Sequence, residues 1–287
     1  MKSNDQILRR MKEDILLRGL SENTLESYLL NAGAFIRFCN RPAEQLDEQD
    51  IRKYLNYLLH EKKLASSTVN IHSAAIRFLF AVTLGRTLNY LQIPRQKRPK
   101  KLPEILTREE VFAIIESCKN KKHKAMLALG YGSGLRIGEV AALKVKHIDS
   151  LNMRVLVENG KGGKDRYSLL SKTCLDVLRQ YWLKYRPNHP DGWLFLGTYQ
   201  VEHISSSGVE YPFKTAVKRV MIDKNVSFHS LRHAFATHML EDGATLLQVK
   251  ELLGHSSIQS TTIYLHLANL TAGLNSPFDH DPATCHA

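Results

Sequence analysis

Ile93-Pro-Arg-Gln-Lys-Arg-Pro-Lys-Lys-Leu-Pro-Glu104 carries three prolines and five basic side chains and has no helical periodicity. Proline fixes φ and lacks a backbone donor, so this stretch reads as an extended connector between two domains. Arg95, Lys97, Arg98, Lys100 and Lys101 add a run of like charge that joining two domains does not require and that suits a phosphate backbone. Upstream, residues 1–92 read as a bundle of about four helices. Leu25, Tyr28, Leu29, Ala32, Phe35, Ile36 and Cys39 repeat at the spacing of one buried helical face, and Asn23 with Glu26 offers that helix a start. Ile51, Tyr54, Leu55 and Leu58, then Ile71, Ala75, Phe78 and Leu79, repeat the pattern.

Downstream, residues 105–275 form the second domain and 276–287 a tail. Thr107-Arg-Glu-Glu110 has the form of a capping box ahead of Val111, Ile114 and Ile115. One β signal stands out: Met153–Glu158 and Asp165–Leu170 flank the glycine-rich turn Asn159-Gly-Lys-Gly-Gly-Lys164. Helices are expected at 171–186, 210–223, 229–241, 245–253 and 257–266. The fold class expected is mainly α with a small β-hairpin: an N-terminal helical bundle and a C-terminal mixed α+β domain.

Composition narrows the function. The chain has 287 residues and a formal net charge of +12, from 40 Lys+Arg against 28 Asp+Glu. Such an excess favours a polyanionic partner, nucleic acid first. No apolar run approaches the ~20 residues that span a bilayer, so no membrane partner is expected. The opening stretch MKSNDQILRRMKEDILLRG alternates charge with apolar residues and is not expected to be a signal peptide. Cys39, Cys118, Cys174 and Cys285 include no CxxC pair, which fits a reducing cytoplasm.

Candidate chemistry gathers in the second domain. In His229-Ser-Leu-Arg232-His233, positions i, i+3 and i+4 share one helical face and suit an anion such as phosphate. The two histidines also match zinc spacing, but Ser230 stands where HExxH needs Glu, and Arg232 would repel a cation. Gly254, before His255, is placed to end a helix in the left-handed conformation. Tyr264, between Ile263 and Leu265, reads by default as an amphipathic core residue. Gly130-Tyr-Gly-Ser-Gly-Leu-Arg136-Ile-Gly-Glu139 lacks the ending and the preceding strand of a phosphate loop, but it sets Glu139 three residues after Arg136, placed to orient its guanidinium.

In this order and spacing, GLRIGE at 134–139, HSLRH at 229–233, LGH at 253–255 and TTIY at 261–264 resemble the tyrosine recombinase (phage integrase) family. GKGGKDR at 160–166 is similar to that family's hairpin lysine turn. The N-terminal bundle and basic connector look like its SAM-like core-binding domain and hinge. The resemblance implies site-specific DNA recombination, integration or excision, through a Holliday junction. Tyr264 would be the nucleophile, forming a 3′-phosphotyrosyl intermediate. Arg136 and Arg232 would clamp the phosphate, His229 and His255 would hydrogen-bond it, and His229 would take the tyrosine proton. Lys161 would protonate the leaving 5′-oxygen, with Lys164 the alternative. Glu139 and His233 would hold these groups in place, and Lys164 and Arg166 would contact DNA beside the connector residues. It further implies duplex DNA as partner, a homotetramer on synapsed sites, no cofactor, no metal, and a cytoplasmic, nucleoid-associated setting. Gly273, Pro277 and Pro282 weaken any helical pattern in the tail that members of the family exchange between subunits. A relaxing enzyme of topoisomerase type IB, a DNA-binding regulator with a vestigial site and a metal-dependent nuclease are the competing readings.

Overall fold

The computed structural model describes residues 2–89, 93, 95–97, 103–158 and 165–268. Contacts divide the chain into two units, Met1–Lys101 and Leu102–Ala287.

The first unit is built from α1 (Lys2–Leu17), α2 (Glu22–Cys39), α3 (Glu48–Asn56) and α4 (Ser66–Phe78). Single π-helical turns, Tyr57–Glu61 and Leu79–Thr83, extend α3 and α4. The start of α2 differs from the sequence expectation. Ser21, extended at φ −65° and ψ 154°, caps it by accepting from the Thr24 amide, which leaves Asn23 inside the first turn. Asn40, left-handed at φ 49°, ends the same helix. Asp47 and Asp50 form a reciprocal capping box at α3, where Arg41 also pairs with Asp50. Met11, Ile15, Phe35, Ile51, Ile76 and Phe80 fill the core. The start of the basic connector is tied to α4. Ile93 is buried and its carbonyl accepts from Arg77, while Gln96 exchanges two hydrogen bonds with Asn70. Arg95 and Lys97 are exposed. Arg98, Lys100 and Lys101 lie outside the described residues, as does the tail at 276–287.

The second unit opens with α5 (Arg108–Glu116), capped by the Thr107–Glu110 box read from the sequence. There follow α6 (Lys121–Gly132), α7 (Ile137–Ala141), β1 (Ile148–Asp149), β2 (Arg154–Val157), β3 (Arg166–Leu169), α8 (Lys172–Tyr185), α9 (Ser206–Arg219), α10 (Phe228–Glu241), α11 (Leu246–Leu253) and α12 (Gln259–Thr262). The hairpin is the expected one, with Val155 opposite Ser168. A two-residue β1 adds a third antiparallel strand, Ile148 opposite Val155, too short to show alternation in the sequence. Helix α9 starts earlier than expected because the Ser205 hydroxyl caps it, taking the Gly208 amide, and Pro212 falls within the helix rather than near its start.

Helix α6 is the centre of this unit. Its six consecutive buried residues, Ala125–Gly130, cover every face of a helix, so it must be surrounded. Phe228 and Leu231 of α10 approach it so closely that a Cβ on Gly130 would meet the Phe228 ring at 2.6 Å. A second cluster, Phe235, Leu240, Val249, Leu253 and Tyr264, binds α10, α11 and the segment after α12. Among the described residues, no helix is long and apolar enough to cross a membrane.

Gly134, between α6 and α7, has φ +60°, and a Cβ there would lie 2.4 Å from the Phe235 ring. Gly134→Ala therefore combines left-handed strain with overpacking, and we expect a loss of at least about 2 kcal/mol in urea unfolding. Gly138→Ala, in α7 with nothing within 4 Å of the added Cβ, should instead gain up to about 1 kcal/mol.

Candidate active site

Three guanidinium groups from three elements converge on one carboxylate. Arg136 caps α7, and Glu139 reaches back to it twice: the Arg136 amide donates to Oε2 at 2.8 Å and its Nη1 to Oε1 at 2.7 Å. From β3, Arg166 donates Nη1 to Oε1 at 2.8 Å and Nη2 to Oε2 at 2.7 Å. From α10, Arg232 Nη1 stands 3.8 Å from Oε2. Burial pushes the Glu139 carboxyl up, but hydrogen bonds and charge from Arg166, then Arg136, outweigh it and hold it down at about 2.

Arg232 is fully buried. Its Nη1 donates to the Gly134 carbonyl at 2.7 Å and its Nη2 to the Leu253 carbonyl at 2.6 Å. Its Nε is buried with no hydrogen-bond partner among the described residues. Burial, aided by the charge of Arg136, brings Arg232 down to about 9, so it still carries its proton at neutral pH.

The aromatic side of the site lies along α10. His229 and His233, one turn apart, meet edge to face with ring centres 4.6 Å apart. His233 Nδ1 lies 3.0 Å from the Tyr264 hydroxyl, which lies in the 3-10 turn Ile263–His266 and leaves the residue 2 % exposed. Burial, the His229 ring and Arg232 lower His233 to about 4, so the ring that pairs with the phenol is neutral at pH 7. Burial raises Tyr264, while Arg232 and Arg136 pull it back down. Gly254 ends α11 at φ +62°, as its position in the sequence suggested, and turns the chain into His255. His255 bonds Thr261 Oγ1 at 2.8 Å through Nδ1 and stacks on Tyr264 at 6.3 Å. Burial, followed by Arg232 and Arg136, lowers His255 to about 4. His229 is also lowered, by burial and then the same arginines.

Arg136, His229, Arg232, His255 and Tyr264 are thus brought together, with Glu139 and His233 among them. Lys161 and Lys164 lie outside the described residues. Two placements depart from the sequence reading. Arg166, expected against DNA, is only 9 % exposed in its side chain and turns inward to Glu139. The phenol touches His233 rather than His229, the residue expected to take its proton. Among the described residues, no group of three or more His, Cys, Asp or Glu is arranged to hold a metal ion.

Comparison with known proteins identifies the family. Residues 104–270 match the phage integrase family, and residues 7–90 match the phage integrase N-terminal SAM-like domain. A Sinorhizobium fredii protein whose name carries the designation integrase/recombinase is 42 % identical over 273 residues, 94 % of this chain and 88 % of that one. Tyrosine recombinase XerD of Oceanobacillus iheyensis is 33 % identical over 268 residues, 87 % of this chain and 89 % of its own. The fold resembles the XerH site-specific recombinase in its difH pre-cleavage complex, with TM-score 0.70 and 21 % identity over 89 % of this chain and 79 % of that one. It also resembles a lambda integrase dimer bound to a core site, with TM-score 0.70 and 20 % identity over 91 % of this chain and 76 % of the other. The chain belongs to the phage integrase family and is a tyrosine-type site-specific recombinase.

Proposed function

We propose that this recombinase binds duplex DNA at specific recombination sites and cuts one phosphodiester per strand with Tyr264 as nucleophile. The observation that carries the reading is the Tyr264 phenol, held at 3.0 Å by a neutral histidine within the field of Arg136 and Arg232. The phenolic oxygen bonds to phosphorus, the bond to the 5′-oxygen breaks, and a 3′-phosphotyrosyl link forms. With the His233 ring proton on Nε2, the phenolic proton passes to the Nδ1 in contact with it, in place of His229. Arg136 and Arg232 clamp the non-bridging oxygens, and Arg232 Nε, without a partner among the described residues, is a donor that a phosphate oxygen satisfies. His229 and His255 add hydrogen bonds there. Lys161 protonates the 5′-oxygen, with Lys164 the alternative. Arg95, Lys97, Arg98, Lys100 and Lys101 follow the phosphate backbone.

The phosphotyrosyl bond conserves the energy of the broken diester, so a 5′-hydroxyl from a partner duplex reseals it without a cofactor. Four protomers on two synapsed sites carry out integration or excision through a Holliday junction. The work takes place in the cytoplasm, on the nucleoid.

A nicked duplex carrying the inverted repeats beside the gene tests the reading, because the cut fragment diffuses away and traps the intermediate. We expect a covalent protein–DNA adduct that survives EDTA and is absent in Tyr264→Phe. No adduct on that site, or an adduct undiminished in Tyr264→Phe, contradicts it.

The lowered histidines make a separate prediction. Between about 4 and the ordinary histidine value near 6.5, the unfolded chain binds protons that folded His233 and His255 refuse. Their contribution to stability is therefore present above pH 6.5 and lost as pH falls toward 4. The melting temperature should hold between pH 7 and 8 and drop below about 6.5, less steeply in His233→Gln.

A further inference from the structure

We propose that Arg166 is a positioning residue that acts through Glu139 to free Arg136 for the scissile phosphate, an inference that rests on the recombinase reading above. Three observations converge on it. Both terminal nitrogens of Arg166 lie on the two oxygens of Glu139, at 2.8 and 2.7 Å. Its Nε donates to the Leu252 carbonyl at 3.0 Å, near the end of α11 and three residues before His255. Its aliphatic stem fills the space beside Gly254, where an added Cβ would lie 2.5 Å from Arg166 Cδ. The side chain is committed inward, away from any surface role.

The consequence lies in how the carboxylate's lone pairs are shared. Arg166 takes one on each oxygen in the parallel two-pronged form that a guanidinium favours. Oε1 then receives Arg136 through Nη1, and Oε2 receives the Arg136 backbone amide. Glu139 thereby fixes the Arg136 side chain through one donor, and the other guanidinium donors of Arg136 stay available to an anion. Without Arg166, the carboxylate can pair with Arg136 through both of its oxygens and occupy the donors that the phosphate needs. A lysine at 166 keeps the charge but cannot span both oxygens and the Leu252 carbonyl together.

The test compares cleavage of a nicked duplex bearing the natural diester with one bearing a racemic methylphosphonate at the scissile position. Replacing a non-bridging oxygen by methyl removes the charge that Arg136 clamps. On the diester, Arg166→Met and Arg166→Lys should both cleave about 10–100-fold more slowly than the wild type, the range seen when support behind a site is removed. On the methylphosphonate, the gap should close to within about threefold or reverse, as it should for Arg136→Ala. Restored cleavage there also shows that the variants are folded. A defect of equal size on both substrates overturns the proposal, because a merely structural fault ignores the phosphate's charge. Wild-type rates in Arg166→Lys on the diester also overturn it, because charge alone then suffices. Failure of the wild-type protein to form an adduct on either substrate overturns the recombinase reading and this inference with it.

Discussion

The catalytic unit depends on one largely buried carboxylate. Glu139 balances Arg136, Arg166 and Arg232, which reach it from α7, β3 and α10. Burying charges in this way costs several kcal/mol of hydration per ion, so the arrangement stands only with its hydrogen bonds complete. The balance is deliberately uneven, with three positive charges against one negative. What remains is a cationic site whose geometry is fixed before an anion enters, the condition under which electrostatic stabilisation costs no reorganisation during reaction.

That surplus shapes everything beside it. His229, His233 and His255 are kept neutral by burial and by the arginines, so they enter as hydrogen-bonding groups and acceptors rather than as further cations. The same field favours the ionised form of Tyr264 against the burial that opposes it. An anion bound at the guanidinium groups would reduce the positive field and make His233 more basic. Burial of the phenol, the neutral acceptor and the cationic cradle are therefore linked parts of one electrostatic arrangement.

Much of this was legible in the sequence because it rests on local rules. The i, i+3, i+4 face of His229, Arg232 and His233, the left-handed Gly254 and the Thr107–Glu110 box are each set by a few adjacent residues. What was not legible depends on elements that meet only in the folded chain. Arg166 reads as a surface charge on a hairpin until the pairing of β2 with β3 and the approach of α11 turn it toward Glu139. The choice of His233 over His229 depends on where the turn after α12 sets Tyr264, which no helical spacing specifies. The α2 cap shows the same limit on a smaller scale, because Ser21 and Asn23 are both good capping types and only the backbone at Ser21 decides between them.

The central claim is that Glu139 and Arg166 act as a unit on Arg136. A kinetic double-variant cycle, reading the single-turnover cleavage rate of Glu139→Gln, Arg166→Met and the pair, tests it most directly. If the two residues act through one another, the double variant cleaves within about threefold of the slower single variant. Losses that multiply would mean that each residue contributes independently, and they would contradict the account.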